Sequence, residues 1–357
     1  MKVAVLGAGR MGETVINHLL KSELVDGIVA QDIRPERVAE LIARYGIGGA
    51  VELDDVLADA GIPVVFVTSS NDAHRELTTR ALRAGKAVMT EKPMATRFDD
   101  AADMVAEAER TGGFLQVGFE LRYSRLYTTV KDWIDAGLLG RVVNTSCTYI
   151  SSEFWGPHAW RRTKAGSGGM FGEKLSHYVD LSRWWVGDAV RDVYAPAAPN
   201  VVPYFEVHDN FHATHRFAGG ATGHLTFMMA PAAKVESDPL QAPDYVPGDG
   251  HELSYLVVGT AGAARTDVFA RTVSRWTFEL TDAGLVSTLV ETRSWTKEED
   301  HRYIHNTHDQ TLDIVRRVAA GQPPSIAPRD ALDTMRLCFA AERSAEEGRI
   351  VGLDEIG

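Results

Sequence analysis

The sequence has few of the features that mark secreted proteins, membrane-spanning proteins or proteins with cysteine-based redox sites. Of its 357 residues only Cys147 and Cys338 are cysteines, and neither lies in a Cys-x-x-Cys pattern, so no disulfide framework or cysteine-based metal site is indicated. No apolar run approaches the roughly 20 residues that span a bilayer. The apolar run Val3 to Leu6 is too short for a signal-peptide core. We therefore expect a cytoplasmic protein without a membrane partner.

Positive charge is also scarce. The chain has 37 Lys and Arg residues against 49 Asp and Glu, a formal net charge of -12. Because no basic run stands out that could neutralise phosphates, we expect no nucleic-acid partner. Internal repeats and low-complexity segments are not evident. The remaining composition, 45% hydrophobic and 24% charged, is typical of a globular protein long enough for two domains.

The amino-terminal segment has the pattern of a dinucleotide-binding turn. A β-type run, Lys2 to Leu6, leads directly into Gly7-Ala8-Gly9-Arg10-Met11-Gly12, and a helix is predicted from Arg10 to Lys21. The first glycine permits a tight turn, the second lets the backbone approach a pyrophosphate, and the third lets helix and strand pack closely. Since N–H groups at the helix amino end bind anions, we expect Gly7, Gly9, Arg10, Met11 and Gly12 to contact the cofactor.

Asp32 follows the second predicted strand and indicates which dinucleotide binds. It lies 32 − 12 = 20 residues beyond Gly12, where an acidic side chain can bind both ribose hydroxyls of an adenosine. A carboxylate there repels a 2′-phosphate, so NAD is the expected cofactor. NADP stays open, because Arg34 is two residues further on and can reach such a phosphate.

Two later loops are predicted to border the same crevice. The buried strand Val64 to Val67 precedes a polar loop, whose Ser69, Asn71 and His74 are expected near the ribose and nicotinamide. For His74 we favour the alternative that it caps or packs in the first turn of its own helix. The sequence thus predicts a second polar loop at the crevice after the glycine turn.

The third loop contains the principal candidate for chemistry. The strand Ala87 to Met89 ends in Thr90-Glu91-Lys92-Pro93-Met94. Ligands collect beyond the carboxyl ends of strands in a doubly wound sheet, so Lys92 is expected over the crevice and Glu91 beside the cofactor. Pro93 biases Lys92 away from the helical region and fixes its direction. The alternative is a solvated Glu-Lys pair before a turn proline.

The pattern changes from Val142 onward. Strands and helices alternate before this point, whereas alternating β-type runs with few helices follow it, and we expect the domain boundary near residues 118–124. We predict an α/β protein: a Rossmann doubly wound parallel sheet in residues 1–121, then an α+β domain with a large, mostly antiparallel open sheet in residues 122–357. Pro231 to Gly250 is expected to be a long surface loop. The predicted β runs of the second domain are Val142 to Ile150, Asp209 to Phe217, Ala221 to Met229, Leu253 to Val258 and Arg271 to Leu280.

A glycine-rich loop, residues 166–172, precedes a second set of reactive side chains. Glu173, His177 and Asp180 are four and three residues apart, which places them on one stripe of a helix, with Lys174 on the adjoining side. Oxidation of an alcohol requires removal of its hydroxyl proton, and a histidine with a pKa of about 6.5, oriented by a carboxylate, is suited to accept it. A desolvated lysine can do the same. The alternative is an amphipathic helix with solvent-facing pairs.

Residues upstream of this loop are candidates for substrate recognition. Trp155, Trp160, Arg161 and Arg162 combine aromatic faces with guanidinium donors, which a polyhydroxylated ring requires. The tryptophans can equally seal a core or a subunit contact. We expect Trp160 and Arg161 to bind substrate.

Three histidines near the carboxyl terminus raise the question of a metal. His301, His305 and His308 share one face if a helix begins that early. Hydride transfer to a nicotinamide needs no metal and no carboxylate partner is evident nearby, so no metal is expected. Whether His305 or His308 reaches the substrate pocket stays open.

Taken together, these motifs resemble the Gfo/Idh/MocA family, which includes glucose–fructose oxidoreductase and inositol dehydrogenases. The resemblance covers nearly the whole chain. It implies a Rossmann domain, a second domain whose open sheet often makes dimer or tetramer contacts, and NAD(P)-dependent oxidation or reduction of a sugar or cyclitol. The motifs are the glycine turn, Glu91-Lys92-Pro93, Gly118-Phe119-x-x-Arg122-Tyr123, the glycine loop with His177-x-x-Asp180, and Ala341-Glu342-Arg343-Ser344 to Gly348-Arg349.

On this resemblance, Lys92 matches the lysine that contacts nicotinamide ribose and substrate, and His177 matches the acid/base histidine. The chain departs from the family in having Glu173 for a common Asp, Leu175 for a frequent Gly and Ser70 for a frequent Pro. The catalytic candidates are Lys92, Glu173, Lys174 and His177. The substrate-binding candidates are Lys92, Arg122, Trp160, Arg161, Lys174 and His177.

The expected function is oxidation or reduction of a secondary alcohol in a sugar, sugar derivative or cyclitol by a homodimer or homotetramer. One alternative is an NAD-dependent glycosidase or lyase that oxidises the sugar only transiently. Another is a sugar- or dinucleotide-sensing protein without turnover, against which the presence of both Lys92 and His177 argues. The leading interpretation depends on Lys92 and His177 converging on one hydroxyl.

Overall fold

The computed structural model describes residues 1–50, 52–232, 248–299 and 303–357. The strands are β1 (Lys2–Leu6), β2 (Gly27–Gln31), β3 (Gly48–Gly49), β4 (Val64–Val67), β5 (Ala87–Thr90), β6 (Leu115–Val117), β7 (Val142–Ser151), β8 (Val190–Tyr194), β9 (Asn210–Phe217), β10 (Thr222–Met229), β11 (Glu252–Gly259), β12 (Gly262–Asp267), β13 (Thr272–Thr281), β14 (Gly284–Ser294) and β15 (Val351–Gly352). The helices are α1 (Arg10–Leu19), α2 (Pro35–Tyr45), α3 (Leu53–Ala58), α4 (His74–Arg83), α5 (Phe98–Thr111), α6 (Arg125–Asp135), α7 (Lys164–Ser167), α8 (Ser176–Val186), α9 (Thr307–Ala319) and α10 (Pro328–Glu347).

The first compact unit comprises Met1–Glu120 and Thr307–Met335. Its six strands form a parallel sheet in the order β3-β2-β1-β4-β5-β6. All four residues of β4 are buried, as expected for a strand covered on both faces. The strand order reverses between β1 and β4, which is the point where doubly wound sheets bind ligands. The predicted Rossmann architecture is confirmed.

Helix α9 belongs to this first unit, which corrects the predicted second domain of residues 122–357. Ile314 and Val315 are completely buried in the same apolar core as Val15 and Ile16 of α1. The chain therefore returns to the first unit after β14 and enters the second unit again within α10, before β15. The division between the units, after Glu120, lies one residue from the predicted boundary.

The second unit comprises Leu121–Asn306 and Arg336–Gly357. Nine strands form its sheet in the order β14-β13-β12-β11-β7-β10-β9-β8-β15. Neighbouring strands are antiparallel except β7 and β10, so the predicted, mostly antiparallel sheet is confirmed. Burial in β10 alternates strictly, which orients one face of the strand to the core. On that side α8 is buried along most of its length, and its Trp185 ring packs edge-on to Tyr255.

Five strands were not predicted from the sequence: β3, β8, β12, β14 and β15. Most of the predicted loop from Pro231 to Gly250 lies outside the described residues. Among the residues that are described, no helix is long and apolar enough to cross a bilayer.

Candidate active site

The turn after β1 is tightly packed on one side and open on the other. Gly7 has a φ of +103°, and a Cβ there would lie 2.6 Å from the backbone nitrogen of Ser69. A Cβ on Gly12 would lie 2.0 Å from the carbonyl oxygen of Gly7, whereas one on Gly9 would meet no atom within 4 Å. Helix α1 begins at Arg10, and its first N–H groups are directed out of the helix end. This geometry fits the pyrophosphate of a dinucleotide.

Thr68 fixes the loop after β4 against this turn, a role that the sequence analysis missed. Its hydroxyl donates a 2.8 Å hydrogen bond to the carbonyl oxygen of Gly7, and its backbone N–H donates one of 2.8 Å to that of Leu6. The side chain is 6% exposed. The only sequence signal was a hydroxyl residue directly after a buried strand.

Asp32 lies beside the glycine turn, as predicted. Its Oδ2 accepts a 2.7 Å hydrogen bond from the backbone N–H of Ala8, and its Oδ1 accepts bonds from the backbone and side chain of Arg34 at 2.9 and 3.2 Å. Burial alone would raise the pKa of Asp32, but these bonds outweigh it and the pKa is lowered. The carboxylate is therefore charged at neutral pH. Arg34, the residue that left NADP open, is paired with it.

His74 joins the second and third loops of the crevice. It is 1% exposed, with Nδ1 2.8 Å from the carbonyl oxygen of Pro93 and Nε2 3.3 Å from that of Ser69. Both ring nitrogens are thus directed at backbone carbonyls. This supports the packing role for His74 over direct cofactor contact. Asn71 is also buried, in the short 3-10 turn before α4, whereas Ser69 is half-buried.

Lys92 follows β5 and is half-buried, and its peptide bond to Pro93 is cis. Beside it, Glu91 is 6% exposed and its Oε2 accepts a 3.2 Å hydrogen bond from the backbone N–H of Lys92. A Cβ on Gly118 would lie 2.9 Å from the same oxygen. Glu91 therefore packs against the backbone after β6 and supports the position of Lys92.

In the second unit, the glycine loop packs around a buried carboxylate from helix α10. The backbone N–H of Phe171 donates a 2.7 Å hydrogen bond to Oε1 of Glu342. Gly169 has a φ of +115°, and a Cβ there would lie 2.3 Å from Cδ of Glu342. Burial raises the pKa of Glu342 to about 7, against the opposing effect of the Phe171 bond. Glu342 was noted in the sequence only as part of the closing motif.

The segment after this loop is not one regular helix. Phe171–Leu175 forms a π-helical turn, and α8 begins at the next residue. Glu173 lies in the π-helical turn and His177 in α8, so the regular spacing assumed for their common stripe does not hold between them. Single π-helical turns of this kind occur frequently at functional sites.

Both carboxylates of the predicted stripe form ion pairs with arginines. Glu173, 5% exposed, accepts a 2.8 Å contact from Nε of Arg161. Arg122 contacts Asp180 through two hydrogen bonds of 2.7 Å. Their side chains are only 8% and 1% exposed. These contacts favour positioning roles for Glu173 and Arg122.

The remaining substrate candidates separate into exposed and packed groups. Trp160 is 41% exposed, and the Arg161 guanidinium lies 4.8 Å from its ring centroid. Trp155 instead stacks on Phe205 at 5.4 Å, which supports the core-sealing alternative for that residue. Arg162 donates a 3.0 Å bond to the carbonyl oxygen of Tyr204.

Lys174 and His177 lie among aromatic rings. The Lys174 ammonium is 4.7 Å from the Phe154 centroid and 5.7 Å from that of Tyr149, a cation–π arrangement. His177 is 4% exposed, and its ring centroid is 6.2 Å from that of His305 at an interplanar angle of 70°. The second unit thus brings two imidazoles together.

The histidine spacing does not produce a recognisable metal site in the described part of the chain. No group of three or more His, Cys, Asp or Glu residues there has metal-binding geometry, and His301 lies outside the described residues. His305 precedes α9, whereas His308 is inside it and its Nδ1 lies 2.9 Å from Oδ1 of Asp309.

The sequence matches two models of one protein family. Residues 1–119 match the oxidoreductase family with an NAD-binding Rossmann fold, and residues 127–265 match the GFO/IDH/MocA carboxyl-terminal domain. The chain therefore belongs to the Gfo/Idh/MocA family of oxidoreductases, and its first domain is an NAD-binding Rossmann domain.

The similarity to known proteins extends over nearly the whole chain. Myo-inositol 2-dehydrogenase of Thermotoga maritima is 24% identical over 380 aligned positions, covering 100% of this chain and 99% of that protein. Inositol 2-dehydrogenase 3 of Saccharopolyspora erythraea is 26% identical over 353 positions, covering 98% and 95%. The crystal structure of GenD2 from gentamicin A biosynthesis in complex with NAD has a TM-score of 0.78 and 26% identity, covering 99% and 96%.

Proposed function

We propose that this protein is an NAD-dependent dehydrogenase that oxidises a secondary alcohol of a sugar, sugar derivative or cyclitol. The observation that carries the proposal is the combination of Lys92, after the fifth strand of the NAD-binding domain, with the buried imidazole of His177 after the glycine loop. Family membership and the two inositol dehydrogenase relatives support a polyhydroxylated substrate.

The glycine turn and Asp32 would hold the dinucleotide. The open space at Gly9 and the helix end at Arg10 and Met11 suit its pyrophosphate, and Asp32 suits its adenosine ribose. Bound NAD supplies the hydride acceptor. Ser69, Asn71 and Glu91 complete the proposed cofactor site, with His74 holding two of its loops together.

The protein's own contribution is removal of the hydroxyl proton. We assign this to an imidazole nitrogen of His177, because histidine is the side chain best matched to proton transfer near neutral pH. Lys92 would hydrogen-bond the same oxygen. Lys174, whose ammonium lies over the rings of Phe154 and Tyr149, remains a second candidate base. Arg161 and Trp160 would bind other parts of the polyol.

NAD is the proposed cofactor in preference to NADP. The charged carboxylate of Asp32 would repel a 2′-phosphate, and Arg34 is already paired with that carboxylate. Titration of both cofactors tests this point. Clearly tighter binding of NADPH than of NADH would contradict it.

The direct test is a panel of inositols, sugars, aminosugars and glycosides, with myo-inositol as first member and absorbance of NADH as readout. We expect at least one inositol or sugar to be oxidised with NAD. Release of an aglycone from glycosides without accumulation of NADH would instead favour the transient-oxidation glycosidase. Absence of turnover for the whole panel, with NAD bound, would favour a sensing protein.

We also propose a homodimer or homotetramer. The hairpin of β13 and β14 has several large apolar side chains exposed, including Leu280 at 82%, Leu285 at 66% and Leu289 at 53%. Such a patch is typical of a protein–protein contact. Sedimentation velocity tests the proposal, and a monomer at micromolar concentration would contradict it.

A further inference from the structure

The short segment before helix α9 is held rigidly on both sides of position 305. Tyr303 and Ile304 are buried, and the Tyr303 hydroxyl lies 2.8 Å from the carbonyl oxygen of Val268. On the other side, Asn306 is 1% exposed, and its amide donates a 2.9 Å hydrogen bond to the carbonyl oxygen of Tyr123. These anchors fix the backbone that carries His305.

Between the anchors, His305 is half-buried and its ring lies beside that of His177. The backbone is thus fixed by three buried neighbours, while the imidazole between them lies next to the proposed proton acceptor. A histidine that only filled the core would not need this placement at the reactive side chain.

We propose that His305 binds the hydroxyl adjacent to the one that is oxidised, and so restricts turnover to substrates that carry a vicinal diol. The inference rests on the proposed dehydrogenase function and specifies its substrate. His305 would be a substrate-binding residue that determines specificity, and His177 would remain the proton acceptor.

The separation of the two rings carries this assignment. Their centroids are 6.2 Å apart and their planes are inclined at 70°, so the rings are not stacked face to face. A neutral imidazole offers a donor at one ring nitrogen and an acceptor at the other, and a hydroxyl group can pair with either. With hydrogen bonds of about 2.8 Å, two rings this close can serve neighbouring oxygen atoms of one small polyol.

The chemical consequence is discrimination against deoxy analogues. A site that binds a substrate hydroxyl rejects the analogue without it, because a polar group of the protein is then left unpaired in the complex. A substrate whose alcohol is flanked only by methylene groups should therefore be oxidised poorly. Removing the substrate hydroxyl and removing the imidazole should each abolish the same hydrogen bond. The two changes together should therefore lower kcat/KM little more than either change alone.

The experiment compares substrate and protein changes together. The substrate is myo-inositol, or another polyol of the panel if that polyol is oxidised faster. Its analogues that lack one hydroxyl next to the oxidised carbon are assayed beside it. These are assayed with the unmodified protein, His305→Phe, His305→Asn and His308→Ala. His308→Ala is the matched control, since it removes a nearby histidine that contacts Asp309 in the first unit.

We expect the unmodified protein to lose about 10- to 100-fold in kcat/KM with one of the deoxy analogues. His305→Phe should show a similar loss with the full polyol and little further loss with that analogue. His305→Asn, which keeps a donor and an acceptor, should recover part of the activity. His308→Ala should resemble the unmodified protein with every substrate.

Two results would overturn the inference. One is an unchanged kcat/KM of His305→Phe with the full polyol. The other is an equal loss of kcat/KM with the deoxy analogue in the unmodified protein and in His305→Phe. NAD binding and the midpoint of thermal unfolding show whether each variant is folded. If His305→Phe does not fold, His305→Asn is compared with the unmodified protein instead. No turnover by the unmodified protein would contradict the proposed function and this inference with it. Turnover that depends on His177 but not on His305 would contradict the inference alone.

Discussion

The backbone N–H of Phe171 donates a hydrogen bond to Glu342, so a carboxylate near the end of the chain holds the glycine loop that leads to His177. Further ionisable groups that act on or beside this carboxylate are Lys164 on α7 and Cys338 and Glu346 on α10. Because the site is buried, the pKa of Glu342 is raised from its ordinary value of 4.5 to about 7. We therefore expect the burial of Glu342 to make the stability of the protein depend on pH.

The first prediction concerns Glu342→Gln. A carboxyl group whose pKa is raised on folding stabilises the protein below pH 4.5, and this contribution is lost as pH rises through 7. Relative to Glu342→Gln, the unmodified protein should therefore lose up to about 3 kcal/mol in free energy of unfolding between pH 4.5 and 7. Denaturant titrations at several pH values measure the difference. A difference that does not change with pH would show that Glu342 does not titrate in this range.

The second prediction separates two glycines of the cofactor turn. Gly9→Ala should cost about 1 kcal/mol of stability or less, since its Cβ meets no atom, yet weaken NAD binding at least about tenfold by filling the open side of the turn. Gly12→Ala should cost about 2–3 kcal/mol, since its Cβ would lie 2.0 Å from a backbone oxygen. Calorimetric NAD titration and thermal unfolding distinguish them. Unimpaired NAD binding by Gly9→Ala would argue against pyrophosphate at this residue.

The third prediction concerns the choice of cofactor. Asp32→Ala removes the charge that repels a 2′-phosphate and releases Arg34 from its ion pair. The ratio of NADP to NAD affinity should rise by about tenfold or more, since a released guanidinium is suited to bind phosphate. Fluorescence titration of both reduced cofactors measures it. The double variant Asp32→Ala, Arg34→Ala should lose most of the gain, and an equal gain in both variants would exclude Arg34 as the cause.

The fourth prediction concerns the buried pair of Arg122 and Asp180. Asp180→Asn leaves a buried guanidinium without its opposite charge, so it should destabilise the protein by about 3–5 kcal/mol. Asp135→Asn, which breaks the surface pair with Lys131, should cost about 0.5 kcal/mol or less. Equilibrium unfolding in urea compares the two variants. Similar costs would mean that the buried pair contributes no more than a surface contact.

Local patterns predicted most of the fold. The glycine turn and Asp32 follow from their spacing in the sequence, the strands around them from short continuous apolar runs, and strands such as β10 from alternating burial. Strand β14 was missed because nearly all of its residues are exposed, so no alternation of burial constrains them. The return of α9 to the first unit was missed because docking over such a distance in the chain has no local signature.

The sequence supplied candidate residues for the site, but it did not predict most of their contacts. Lys92 and His177 follow from motif positions, whereas the pairing of Glu173 with Arg161 depends on a π-helical turn that a regular spacing does not predict. Glu342 and His305 contact residues that lie far away in the sequence. In the sequence, Glu342 stood out only as part of the family's closing motif, and His305 only as one of three regularly spaced histidines.

The central claim is that Lys92 and His177 act on the same hydroxyl group. We would measure kcat/KM of Lys92→Ala, His177→Ala and the double variant on the best polyol of the panel, with NAD affinity measured in parallel. Each single variant should lose about 100- to 1,000-fold or more while binding NAD nearly normally. The double variant should be at most a few-fold worse than the weaker single one, because residues acting as a unit are not additive. Full activity of both single variants, or losses that simply multiply, would contradict the claim.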